Sequence, residues 1–310
     1  MSLRVDLDQK ISKNADRILA GRLEKCRLAL QQDDPHQAVH EVRKQLKKIR
    51  AFSRLMRGEI GEKSYKMTNM YYRDLGHKMS EARDAAAMLE TLDLIKDSVD
   101  NKPEEKALQD IKNHLSARKS AVTRILFNRK ELLDTVETDL QRAESIHDSW
   151  KIKHNNFAAF RGGLGKTYKR CRKAMKKAYK KNTPEAFHDW RKRSKYLRYH
   201  INLLREIWHH PMKGMEKELH QLTDYLGDDH DLTVLKKQIE AMDYENKEAK
   251  AYIINIIDRK KAELQRLARP LGEKLLLDNK KDFLNRIKLY WDKSLKEFKM
   301  LHDRKPLGVS

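Results

Sequence analysis

His40, Arg43, Lys44, Lys47 and Arg50 carry five cation-forming side chains at the spacing of a single helix face. The series returns 148 residues later as His188, Arg191, Lys192, Lys195 and Arg198, and both stretches read H-[ED]-x-R-K-x-x-K-x-[IL]-R. At ~100° per residue, the five side chains of either copy fall within an arc of about 120°. Val42, Leu46, Ile49, Phe52 and Met56 take the opposite side of the first copy, and Trp190, Leu197, Ile201 and Leu204 that of the second. Glu41 and Asp189 fall outside the basic arcs, so both faces are expected to be free of acid. Solvated helix faces usually alternate Glu with Lys, because like charges at i,i+4 destabilise a helix by ~0.2–0.5 kcal/mol per pair. A repulsive face kept twice in one chain points to an anion that compensates it. Arg offers a bidentate fork to phosphate oxygens, Lys a mobile point charge, and His a donor whose pKa a polyanion would raise.

The elements that position these faces are helices. The chain has 310 residues with only 11 Gly and 6 Pro, and charged residues make up 37% of it. So few breakers leave little material for the turns of a sheet protein, and the expected fold class is all-α. Breaks are expected at Asp33-Asp34-Pro35, Gly58 to Gly61, Asn101-Lys102-Pro103, Arg161-Gly162-Gly163, Asn182-Thr183-Pro184, His210-Pro211 and Arg269-Pro270, which delimit about ten helices. Asp34-Pro35 and Thr183-Pro184 have the composition of helix starts, an N-cap followed by Pro at the first helical position. Further pairs support a duplicated unit: Ser80 to Asp84 against Gly227 to Asp231, Cys26-Arg27 against Cys171-Arg172, and Arg118-Lys119 against Arg259-Lys260. The expected organisation is two pseudo-symmetric helical bundles, residues 1–150 and 151–310.

Lys and Arg number 68 against 46 Asp and Glu, a net charge of +22 that calls for a polyanionic partner. No apolar run is long enough to span a membrane, and the N-terminal residues lack the apolar core of a signal peptide, so no membrane partner is expected. Two cysteines, Cys26 and Cys171, are too few for a disulfide framework and fit a cytoplasmic setting. Phe160 to Thr167 ends in the Gly-Lys-Thr of a P-loop, but Phe160 replaces the first Gly and no strand precedes it; a Gly-rich helix start is expected instead, with Lys166 near its N-terminus. The thirteen histidines show no metal-ligand pattern, so neither a metal nor a cofactor is expected. Phosphoryl chemistry would want Mg²⁺-binding carboxylates beside the basic groups. Their absence favours binding without turnover and no catalytic residues. Nucleic acid is the competing ligand; against it, neither basic face interleaves aromatics for base stacking except at Tyr199.

The doubled motif, followed in each half by an Arg-Asp or His-Asp step (Arg83-Asp84, His230-Asp231), resembles the conserved histidine α-helical domain family, CHAD. Ala82-Arg83-Asp84 with Met88-Leu89, and Leu226-Gly227 with Asp231, Val234 and Leu235, look like that family's second motif. His230 stands where the family pattern favours Arg. Gly165, Tyr168 and Arg172 look like the start of its second bundle. The resemblance implies two helical bundles around a basic channel that binds inorganic polyphosphate without hydrolysing it. The implied ligands are the ten motif residues, His40, Arg43, Lys44, Lys47 and Arg50 with His188, Arg191, Lys192, Lys195 and Arg198. Arg83, Arg118, Tyr168, Arg172 and Arg259 are further channel candidates. Cytoplasmic polyphosphate granules are the implied location. Members of the family often follow a triphosphate-tunnel domain with an E-x-E-x-K signature, which is not found here, so its activity is not transferred.

Overall fold

The computed structural model describes residues 3–99, 102–127 and 131–302, without the side chains of residues 81–86, 125–127, 131 and 302. Among these residues the chain is all-α, with eleven α-helices and no strand. In chain order they are α1 (Ile11–Leu30), α2 (Pro35–Leu55), α3 (Arg57–Lys78), α4 (Ser80–Leu92), α5 (Lys102–Phe127), α6 (Glu131–Arg142), α7 (Ala158–Lys181), α8 (Pro184–Leu203), α9 (His209–Ala241), α10 (Lys247–Leu275) and α11 (Lys280–His302).

The two motif helices begin where their caps dictate. The Asp34 carboxylate accepts from His36 N (2.8 Å) and Gln37 N (3.4 Å), and the Thr183 hydroxyl accepts from Ala186 N (3.4 Å), each followed by proline at the first helical position. Val42, Leu46, Ile49 and Phe52 of α2 are buried, as are Trp190, Leu197 and Ile201 of α8 and Leu204 just past its end. Each such side chain withdrawn from water contributes about 1.5–3 kcal/mol. These apolar stripes anchor both helices and leave the opposite faces to the cations.

Two hydrophobic cores result. The first gathers α1, α2, α3, α6, α7, α8, α11, the first half of α9 and the end of α10. The second joins α4 and α5 to the second half of α9 and to α10. The stretch around residue 150 links α6 to α7 without a long helix, and each core holds residues from both sides of it. α9 spans both cores: Leu219, Leu222 and Leu226 belong to the first, Leu232, Leu235 and Ile239 to the second.

Two expected breaks are absent. α7 runs unbroken through Gly162-Gly163, because these glycines serve packing: a Cβ on Gly163 would lie 2.1 Å from Leu55 O and 2.3 Å from Arg54 O. α10 continues through Pro270, and two residues on Gly272 sits against Trp190, where a Cβ would come within 2.5 Å of Cζ2. The break expected at Gly58 to Gly61 resolves into a junction at Met56 and a kink at Gly61, whose φ of 75° suits glycine. No helix among the described residues is long and apolar enough to cross a membrane.

Candidate functional site

α2 and α8 meet at Ala51 and His200. His200 Nε2 donates to Ala51 O at 2.8 Å, and total burial pushes its pKa down to about 3, so the ring is neutral. One turn away on either side, Arg54 of α2 lies 4.0 Å over the Tyr196 ring of α8, and Lys47 of α2 comes near enough to Lys195 of α8 to weigh on its charge. The crossing therefore brings the two basic faces together.

On α8 all five motif residues are half-buried. Lys195 is pushed down to about 7, first by burial and then by Arg191 and Lys47, with Asp231 opposing. His188 Nδ1 lies 3.1 Å from His230 Nδ1 of α9, close enough for one ring N–H to donate to the other's lone pair. Burial, then Arg191, lowers both rings, His230 to about 3. Arg191 Nε is buried with no acceptor among the described residues, and the guanidinium packs over Gly227, where a Cβ would lie 3.8 Å from Nε. Arg198 donates from a terminal nitrogen to Thr223 Oγ1 at 3.0 Å, while its Nε is likewise buried and unpartnered. From α9, Asp228 is pushed up to about 6 by burial and Asp231, and Asp229 is raised by burial while accepting from Gln265 at 2.7 Å. Arg191 and Lys195 thus stand close to the carboxylates of α9 without forming an ion pair to them among the described residues.

On α2 the setting is wetter. His40, Lys44 and Lys47 are exposed, and Arg43 and Arg50 are half-buried. Arg43 donates to Gly76 O (2.5 Å) and Arg50 Nε to Asn69 Oδ1 (3.2 Å).

The acid-free faces expected from the helical projection need correction. Glu41 reaches Lys44 at 2.8 Å, and Asp189 reaches Lys192 and Arg193, each at 3.1 Å. Burial works to raise both carboxylates, yet these partners hold them below their usual range. At i,i+3 a flexible Lys bends across the ~60° that separates it from the acid. Lys44 and Lys192 are therefore partly neutralised members of the series.

The further candidates scatter. Tyr168 is a core residue: it is fully buried, stacks on Phe283 at 4.0 Å, donates to Asp278 O at 2.9 Å, and burial pushes its phenol up to about 12. Helical periodicity puts it on the apolar side of α7 with Leu164, Cys171 and Met175. Arg118 of α5 bonds Gln238 of α9, Arg172 lies one turn beyond Tyr168, and Arg259 is exposed on α10. None of the three has a hydrogen bond to a motif residue among those described. The Arg83 side chain lies outside the described residues. Sequence reasoning missed Arg22 and Lys48. Arg22 of α1 is nearly buried, donates to Gln45 Oε1 at 3.0 Å, and interacts with Tyr199 of α8. Lys48 is pushed down to about 8, by burial and then by Arg22. Lys48 adjoins Lys44 at the edge of the helical projection and was legible there; Arg22, on another helix, was not. Among the described residues no three His, Cys, Asp or Glu side chains are grouped to hold a metal.

The described residues thus form an all-helical protein with two arrays of Arg, Lys and His on crossing helices. The model of the CHAD domain matches residues 17–240, and the chain belongs to that family. No curated protein matches it.

Proposed function

We propose that this protein binds inorganic polyphosphate, without turning it over, in a basic channel bounded by α2 and α8. The observation that carries the reading is Arg191. Its Nε is buried and unpartnered, and His188, Lys195 and His230 crowd it with donors. A buried donor without a partner costs about 1–3 kcal/mol, more when charged. A linear chain of phosphates supplies acceptors along the whole row and relieves the repulsion between Lys47 and Lys195. CHAD domains are associated with polyphosphate binding in general. The carboxylates nearby, Asp228 and Asp231, weigh on Arg191 and Lys195 through charge without an ion pair to them, and binding without turnover is part of the proposal.

Competition on the full-length chain tests this. Long-chain polyphosphate should outcompete RNA and duplex DNA at equal phosphate concentration, with affinity falling as salt rises. Displacement by nucleic acid would overturn the ligand, and release of orthophosphate in the presence of Mg²⁺ would overturn the absence of turnover. The reading carries a cytoplasmic location at polyphosphate granules, to be checked by co-localisation with the polymer in cells.

A further inference from the structure

A second concentration of positive charge sits where α7 crosses the junction of α2 and α3. Gly163 permits the crossing, since any side chain there would strike the carbonyls of Arg54 and Leu55. The same face of α7 carries Lys166 and Arg170 at i+3 and i+7. Brought against Arg54, Arg57 and, from α8, Arg193, they line a notch of about 20 Å³. Lys166 therefore does not serve a helix N-terminus, as its P-loop-like context implied; it stands two turns inside α7.

Five cations face this notch, and their partners leave most of the charge uncompensated. Arg57 pairs with Glu62, and Arg193 shares Asp189 with Lys192. Arg54 donates only to neutral acceptors, Arg50 O at 2.9 Å and Asn69 Oδ1 at 2.7 Å. Lys166 and Arg170 have no hydrogen bond or ion pair among the described residues. Burial, then Arg57 and Arg170, holds the Lys166 ammonium below its usual range. Arg57 and Arg193 side chains are only 16% and 24% exposed, and the buried residue Thr167 completes the wall. Lys166 and Arg170 form an exposed rim able to close over a ligand. Guanidinium forks with a mobile ammonium match tetrahedral oxygens.

We propose that this notch is a second oxyanion seat, adjoining the channel, that takes one phosphoryl group, as free orthophosphate or as the end of a phosphate chain. The seat stands whether or not the channel binds polymer.

The test is calorimetric titration of the full-length chain with orthophosphate and, separately, tripolyphosphate, with chloride at matched ionic strength as control. Lys166 and Arg170 are exposed, so the double variant K166Q/R170Q is expected to fold, which circular dichroism checks. Affinity for at least one of the two ligands should fall at least tenfold in K166Q/R170Q, and the same loss should appear when K166Q/R170Q is added to R191Q/K195Q. An orthophosphate response lost in K166Q/R170Q identifies the free ion as the source; a tripolyphosphate response alone lost in K166Q/R170Q identifies a chain end; either supports the seat. Equal binding by wild type and K166Q/R170Q, loss in R191Q/K195Q instead, or an equal response to chloride overturns it. Since the polymer's channel affinity is read in R191Q/K195Q, failure of one site is distinguishable from failure of the other.

Discussion

The α8 copy of the motif lies under α9, a single helix of 33 residues, whereas the α2 copy packs on α3 and α4, which are divided at Met79. The residue types match, but their surroundings do not. On α8 every member is half-buried, and Lys195 is depressed to about 7. On α2 three members are exposed and the two arginines reach Gly76 O and Asn69. Equal numbers of cations therefore do not give equal electrostatics. Burial removes the water that would otherwise stabilise each charge, so the α8 cations are held at greater cost than the hydrated cations of α2.

The largest effect should come from removing the half-buried cations. R191Q/K195Q should weaken polyphosphate binding by a hundredfold or more, as two charge-assisted contacts worth ~1.5–3 kcal/mol each require. Equal losses from R191Q/K195Q and from the exposed α2 pair H40Q/K47Q, measured by calorimetry, would break the comparison. The crossing that holds the copies together comes next. His200→Ala removes a buried ring and its bond to Ala51 O, and should cost about 2–4 kcal/mol in urea unfolding. Neutral His200 also makes the fold acid-sensitive: its folded pKa, about 3, lies below the unfolded value of ~6.5, so its support is complete above ~6.5 and lost progressively as pH falls towards 3.

H40Q/K47Q should lose about tenfold in affinity, each exposed contact being worth ~0.5–1 kcal/mol. Acidification sharpens the contrast further. Lys195, faced by Arg191, Arg198 and Lys47 as cations and by Asp231, must be protonated to meet a phosphate. Affinity should be highest below pH 7 and fall several-fold by pH 8.5, with proton uptake on binding; Lys195→Arg should flatten that profile. The smallest effect is expected from K173Q/K176Q/K177Q on the far-reaching basic stretch of α7. About a threefold loss that vanishes at high salt marks long-range attraction alone.

Much of this was legible along the chain. The helical motif, its two caps and its apolar stripes follow from local periodicity and from side chains that bond within one turn. Tyr168 was misplaced because family resemblance outweighed its position on the apolar side of α7. The glycines of α7 read as a helix start because a sequence does not say which backbone will pass close by. Lys44 and Lys192 read as free because a projection treats flexible side chains as fixed spokes.

By itself, the sequence determined two amphipathic helices with matching cations, and an all-α chain to carry them, since a 3.6-residue period and capping are local properties. Only the tertiary structure decided that α9 covers α8, that Lys47 weighs on the charge of Lys195, and that Arg54 joins Lys166 and Arg170 across Gly163. Those outcomes depend on how distant helices pack, and packing sets the burial that turns ordinary cations into candidate binding groups.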